Sequence, residues 1–213
     1  MNQNNNSQFI DVFPTVLYYK VLNNINVNSH INDILVNQEK ISDGIGLLTT
    51  GDALLNEKLY KDLKNEILVA SKEYLNEKGI IFEDILITNS WANILNKGDR
   101  IHNHYHSNSL ISGAFYVTDS SLMEFYNPTL DNPLSTTPFF NFERNSNEKN
   151  HRTWNSFNLQ PKSGTLLIFP SWLYHSVPET IQDTRISIAF NIFPKGKFGP
   201  KASYINLTNN THE

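Results

Sequence analysis

Three of the chain's seven histidines fall within five residues, in Gly98-Asp-Arg-Ile-His102-Asn-His104-Tyr-His106-Ser-Asn-Ser109. In an extended strand residues i and i+2 share a face, so His104 and His106 can point the same way, with His102 one step further back. Two neighbouring neutral imidazoles begin a site for a divalent iron, zinc or copper ion. Taken alone, the segment reads equally well as a surface histidine run in a loop.

A second segment, Ser163-Gly-Thr-Leu-Leu-Ile-Phe-Pro-Ser-Trp-Leu-Tyr-His175-Ser-Val-Pro178, reads as a turn, a buried strand and a bend at Pro170. A histidine just after that bend can close the site from an opposing strand; the alternative is a buried histidine bonded to backbone. About ten residues later an apolar-rich strand opens with an arginine, Arg185-Ile-Ser187-Ile-Ala-Phe-Asn191. Alternation puts Arg185, Ser187 and Ala189 on one side and Ile186, Ile188 and Phe190 on the other. A guanidinium turned into a barrel needs a partner, and a carboxylate matches its planar fork. A surface salt bridge at a strand start is the other reading of Arg185. Trp172 and Tyr174, beside His175, are candidate pocket walls or ordinary core or surface aromatics.

These residues need a scaffold. Leu55, Leu59, Leu63, Ile67 and Leu75 recur at helical spacing, which predicts a helix over residues 53–78 that starts near Thr50 or Asp52 and stops at Gly79. A shorter helix is expected over 29–39, and a strand pair or extended lead-in over 9–22, broken at Pro14. Beyond residue 80 short apolar or alternating runs follow one another: 80–88, 90–95, 101–106, 110–118, 122–126, 165–169 and 185–193. Turn residues separate most of them, which predicts an all-β sandwich or barrel. The polar stretch 127–153, with three prolines, reads as a long functional loop. Its His151 and Arg152 fit a solvated loop better than an anion contact. The expected organisation is one domain, mainly β (α+β): support over 1–80, a β core over 81–195 and a tail over 196–213.

Composition narrows the chemistry. With no cysteine, thiolate metal sites, iron–sulfur clusters, disulfides and cysteine nucleophiles are excluded, so any metal must rest on histidine and carboxylate. The net charge of −4 argues against a broad nucleic-acid-binding face. No apolar run reaches the roughly 20 residues of a membrane span, and the polar N-terminus lacks a signal-peptide pattern. A cytoplasmic protein without membrane attachment is the expectation. The Asn-x-Ser/Thr matches at Asn5, Asn206 and Asn209 are read as chance, and oligomeric state stays open, with a homodimer as one option.

The ordered motifs Trp91-Ala-Asn93, His104-Tyr-His106, Ser112-Gly-Ala-Phe-Tyr116-Val117 and Phe169-Pro-Ser-Trp-Leu-Tyr-His175, with the opening Phe13-Pro-Thr-Val-Leu17, span most of the chain. In these the chain resembles the 2-oxoglutarate/Fe(II) oxygenases of bacteria and phages. The resemblance implies a double-stranded β-helix (jelly roll, cupin-like) with supporting N-terminal helices. It implies Fe(II) held by His104, His106 and His175, and 2-oxoglutarate with its distal carboxylate on Arg185 and Ser187. Asn93, Tyr116 and Asn191 would supply further hydrogen bonds to the cosubstrate. Dioxygen would be consumed, succinate and carbon dioxide formed, and a small-molecule or protein substrate hydroxylated. One departure stands out: the wider superfamily uses two histidines and one carboxylate, and here His106 occupies the carboxylate's place. Glu124, Asp99 and Asp119 are carboxylates that could complete a conventional triad, Glu124 foremost. The competing readings are a cupin-like three-histidine enzyme without 2-oxoglutarate and a non-enzymatic jelly-roll binding or viral domain.

Overall fold

The computed structural model describes residues 11, 13–40, 48–120, 122–128 and 154–207. Twelve strands and two α-helices lie along them: β1 (Tyr18–Val21), α1 (Val27–Val36), β2 (Glu39–Lys40), β3 (Leu48–Thr49), α2 (Lys61–Glu77), β4 (Phe82–Asn96), β5 (Ile101–His104), β6 (Ile111–Tyr116), β7 (Met123–Tyr126), β8 (Ser156–Leu159), β9 (Thr165–Pro170), β10 (His175–Val177), β11 (Thr184–Phe198) and β12 (Ile205–Leu207). They form two antiparallel sheets. The larger has the order β1-β9-β6-β11-β4-β3-β2, with β12 on the far end of β11; the smaller has the order β5-β10-β7-β8. Strands adjacent in sequence, such as β4 and β5 or β6 and β7, fall in different sheets, the wrapping of a double-stranded β-helix.

Alternation along the central strands of the large sheet divides the interior into two cores. Ile186, Ile188, Phe190 and Ile192 of β11, with Ile94, Phe115 and Ile168 beside them, meet Leu63, Ile67, Ala70, Tyr74 and Leu75 of α2. The opposite face, with Ala114, Tyr116, Leu167 and Phe169, packs between the sheets on Met123, Phe125 and Leu173. Helix α2 therefore stiffens the back of the sheet whose front carries the polar residues of interest.

Gly113 on β6 is opposite Phe190 on β11. A Cβ there would lie 2.3 Å from the Phe190 ring and 2.5 Å from the Leu167 carbonyl oxygen, so only glycine lets the ring lie across its neighbour.

The long helix expected over 53–78 begins eight residues later than the leucine spacing suggests. Residues 54–56 and 58–60 are single 3-10 turns, separated by Glu57 in an extended conformation (ψ 149°). The cause is tertiary. Ala53 bridges to Ser90, and the Leu55 N–H donates to the Ser90 hydroxyl at 2.9 Å, tying this stretch to β4. Leu59, counted toward the apolar stripe, is consequently 43% exposed. Gly79, with φ +66°, does end α2: the Ile80 N–H reaches the Leu75 carbonyl and the Gly79 N–H that of Asn76, a Schellman closure.

The runs 80–88 and 90–95 are one strand, β4, with an irregularity where Asn191 pairs with Asn89 but Ile192 pairs with Ile87. Strands β8 and β12 and the short β2 and β3 carried no sequence signal. The strand pair over 9–22 reduces to β1 among the described residues. The 129–153 part of the polar loop, with His151 and Arg152, lies outside them.

Candidate metal and diacid site

His104, the last residue of β5, and His175, the first of β10, are register partners, so ladder geometry puts both imidazoles on the inner face. Their ring centroids are 4.3 Å apart. His106 arrives differently from the i, i+2 expectation: β5 ends at His104, and the chain leaves the sheet. The His106 N–H then bonds to the Ser171 carbonyl at 2.9 Å, in the turn after β9. Asn108, left-handed at φ +56°, turns the chain back toward β6, a conformation asparagine tolerates. The His106 ring still stacks on His104, 5.2 Å between centroids at 18°, and is 5.1 Å from His175. One ligand atom from each of His104, His106 and His175 falls within 4.8 Å of the others, the one such cluster among the described residues. His102 is exposed and outside it.

The hydrogen bonds settle which nitrogens converge. His104 Nδ1 donates to its neighbour's carbonyl at His102 (2.8 Å), and His175 Nδ1 to that of Leu173 (2.8 Å). Both therefore face inward with an Nε2 lone pair. His106 Nδ1 meets Asn191 Oδ1 at 2.6 Å, and its Nε2 is 3.3 Å from that of His104. Burial pulls the pKa of His175 down to about 3, with His104 repelling a second proton. Burial, outweighing the Asn191 contact, also lowers that of His106. Imidazole lone pairs converging from three residues are what a cation requires, so the donor set fits a first-row divalent metal.

The carboxylate alternatives are elsewhere. Phe125, not Glu124, is the inward register partner of His175; Glu124 pairs with Ser176 and points to the opposite face. There it accepts from Ser156 (2.6 Å) and Tyr126 (2.9 Å). Asp119 pairs with Lys162 and caps the Ser163 N–H, and Asp99 accepts from the Asn96 N–H. A two-histidine, one-carboxylate triad built on these residues is not what the fold assembles.

Arg185 is 2% exposed, among the largest fully buried side chains, and no carboxylate pairs with it among the described residues. Its Nε donates to the Ser120 hydroxyl at 2.6 Å and one terminal nitrogen to Ser187 at 3.2 Å, and the guanidinium carbon is 5.4 Å from the Tyr116 ring centre. Desolvation lowers its pKa from the ordinary arginine value, opposed by Tyr116. Ser187 pairs with Asn93 on one side and Tyr116 on the other, so these three form one row across β4, β11 and β6. Tyr116 donates to the Met123 sulfur at 2.8 Å, and burial raises its pKa to about 12, keeping it a neutral donor. Asn93 accepts from the Trp91 indole N–H at 3.1 Å. Ser120 had no sequence signal beyond its place in a turn; only the fold brings it to Arg185.

Asn191, expected among the cosubstrate's contacts, directs its amide at His106, Ser112 and Asn89 instead. Trp172 and Tyr174 stand at the surface, 57% and 42% exposed, Tyr174 against Tyr105. The cavity of about 620 Å³ beside β7 and β8 is lined instead by Leu17, Phe125, Tyr126, Trp154, Phe157 and Leu173, among others.

Residues 89–191, which hold the three histidines, Arg185 and their hydrogen-bond partners, match the family model described as "Putative 2OG-Fe(II) oxygenase". Over this segment, just under half of the chain, the sequence is similar to the 2-oxoglutarate/Fe(II) oxygenase family. The solved structure of SnoN, a non-heme alpha ketoglutarate dependent epimerase from nogalamycin biosynthesis, is similar at TM-score 0.62 and 12% identity, over 87% of this chain and 82% of that one. A Pseudomonas putida prolyl-4-hydroxylase gives 0.58 at 10% identity over 85% and 94%. HygX from Streptomyces hygroscopicus with iron bound gives 0.56 at 11% identity over 84% and 82%. At such identities these likenesses speak for the shared fold. No curated protein matches the chain.

Proposed function

We propose that the chain is a 2-oxoglutarate- and Fe(II)-dependent dioxygenase in which His104, His106 and His175 hold the metal and Arg185 binds the cosubstrate's distal carboxylate. The observation that carries this is a fully buried guanidinium with hydroxyl partners but no carboxylate among the described residues, over the Tyr116 ring of the same inter-sheet core whose Phe125 and Phe169 pack on His175. A buried charge without a counter-ion is costly, and a dicarboxylate with one end on the metal and the other on Arg185 supplies the missing charge. Relatives of this fold solved with iron, or with alpha ketoglutarate and Fe3+, support the same pairing.

Iron bound there supplies the oxidative decarboxylation of 2-oxoglutarate by dioxygen, which the family couples to substrate oxidation. The chain's own residues do the rest. The three imidazoles would hold the metal without adding negative charge to it. Arg185, Ser187 and Ser120 fix the distal carboxylate, while the Asn93 and Tyr116 side chains flank it in the same row. Phe125 and Phe169, packed at 6.0 and 4.7 Å from the His175 ring, exclude water from one side of the site. The cupin-like alternative, three histidines without the diacid, leaves Arg185 unexplained.

Succinate formation by purified protein given Fe(II), 2-oxoglutarate and oxygen tests the proposal, since uncoupled turnover needs no known substrate. Succinate that requires both iron and 2-oxoglutarate, and is lost in His175→Ala, is the expected result. Iron binding without any 2-oxoglutarate dependence would select the cupin-like reading.

A further inference from the structure

A cation can be held only if all three imidazoles offer a lone pair at Nε2. Two of them have that tautomer imposed by backbone carbonyls, which can only accept: His104 by His102 and His175 by Leu173. His106 has no carbonyl at Nδ1. It faces the side-chain amide of Asn191 on β11, and an amide can accept through oxygen or donate through nitrogen. The other tautomer has a ready partner too. With its proton on Nε2, His106 would donate to the Nε2 lone pair of His104, 3.3 Å away, and the trio would close on itself.

The surroundings of Asn191 decide between the two. Ser112 donates its hydroxyl to Asn191 Oδ1 at 2.6 Å, and Asn191 Nδ2 donates to Asn89 Oδ1 at 2.8 Å. The Ser171 hydroxyl backs Ser112 at 2.8 Å. Asn191 is 7% exposed, and Ser112 and Ser171 are buried. An amide turned the other way would set Oδ1 against the oxygen of Asn89, two acceptors facing each other with no donor between them.

We propose that Asn191 is a positioning residue that holds His106 in the Nδ1-protonated tautomer, keeping its Nε2 free for a metal instead of bonded to His104. Only the naming of that metal as iron rests on the oxygenase reading; the tautomer selection is a property of the protein alone. The amide's nitrogen matters as well. A carboxylate at this position would hold the same tautomer, but its second oxygen would oppose that of Asn89, to which the amide Nδ2 donates instead.

Long-range 1H–15N correlation spectra of 15N-histidine-labelled, metal-free protein report each imidazole tautomer directly, and titration with Ni2+ reports site affinity. In the native chain His106 is expected in the Nδ1–H form. Asn191→Ala shifts it toward Nε2–H and weakens Ni2+ binding roughly 10- to 100-fold. Asn191→Asp keeps the Nδ1–H form, at a cost in melting temperature from the oxygen set against Asn89. Ser112→Ala, which frees the amide without removing it, gives a partial shift and carries the test if Asn191→Ala fails to fold. A native His106 in the Nε2–H form, or Asn191→Ala and Ser112→Ala variants with tautomer and affinity unchanged, would overturn the proposal. A native chain with His106 in the Nδ1–H form that binds no Ni2+ would uphold the tautomer selection and sink the oxygenase reading instead.

Discussion

Arg185 can be separated from the metal by mutation because its contacts and those of the histidines do not overlap. Its partners are Ser120, Ser187 and the Tyr116 ring; those of the imidazoles are two backbone carbonyls and Asn191. A charge-assisted hydrogen bond contributes about 1.5–3 kcal/mol, so Arg185→Gln should weaken 2-oxoglutarate binding by roughly 10- to 100-fold. Metal affinity should stay within about threefold of native by the same independence of distant sites. Calorimetry with Ni2+ and then 2-oxoglutarate measures both, and equal losses would make Arg185 structural. His175→Ala should do the reverse, abolishing tight metal binding first. At this scale the sequence was informative where chemistry is local. The H-x-H pair and a histidine followed ten residues later by an arginine are visible as text, and alternation put Arg185 and Ser187 on one face, which the fold turns inward. Asn191 lies on that same face, yet what its amide meets depends on His106, 85 residues away. Nor does any sequence pattern bring Ser120 to an arginine 65 residues distant.

Elements impose their own limits on substitution, and those on β6 are tight. All six of its residues are buried, and it lies between β11 and β9 at the centre of the large sheet. Gly113→Ala would drive a methyl group into the Phe190 ring and the Leu167 carbonyl, and the carbonyl belongs to a ladder that cannot shift locally. Overpacking of this sort costs about 1–3 kcal/mol, read as a melting-temperature drop of several degrees. Gly113→Ala with Phe190→Leu should recover part of it, and full stability in the single variant would contradict the packing described. The β periodicity after residue 80 was strong enough to give most strands to within a few residues. The helix start was misjudged because Leu55 and Leu59 keep the α2 spacing, whereas Ser90 claims the backbone at Leu55. Strand β8 was missed because Ser156–Leu159 carries only a weak pattern and is held mainly by β7.

Across the whole molecule, the three-histidine site should make stability depend on pH in a window where carboxylates do not interfere. His106 and His175 are depressed from the ordinary histidine pKa near 6.5, His175 to about 3, both chiefly by burial. His30, buried against Tyr60 behind the sheet, is depressed by burial too. A histidine that resists protonation when folded accepts a proton once unfolded, so the unfolded chain binds more protons below that pKa. Its stabilising contribution is thus complete above pH 6.5 and falls away as the solution is acidified toward the folded value. Each fully depressed group costs up to about 1.4 kcal/mol per pH unit in that range. The acids with depressed values, Glu66, Asp84 and Asp119, lose their contribution only below about pH 4.5, so the interval from 6.5 to 5 belongs to the histidines. Chelator-treated protein should therefore melt progressively lower from pH 7 to pH 5, and His175→Gln should flatten the decline. Adding Ni2+ and 2-oxoglutarate together at pH 7 should raise the melting temperature beyond either alone, since ligands that bind only the folded state stabilise it by mass action. A melting temperature indifferent both to acid in this window and to the paired ligands would mean that the converging imidazoles and the buried arginine do not form one site.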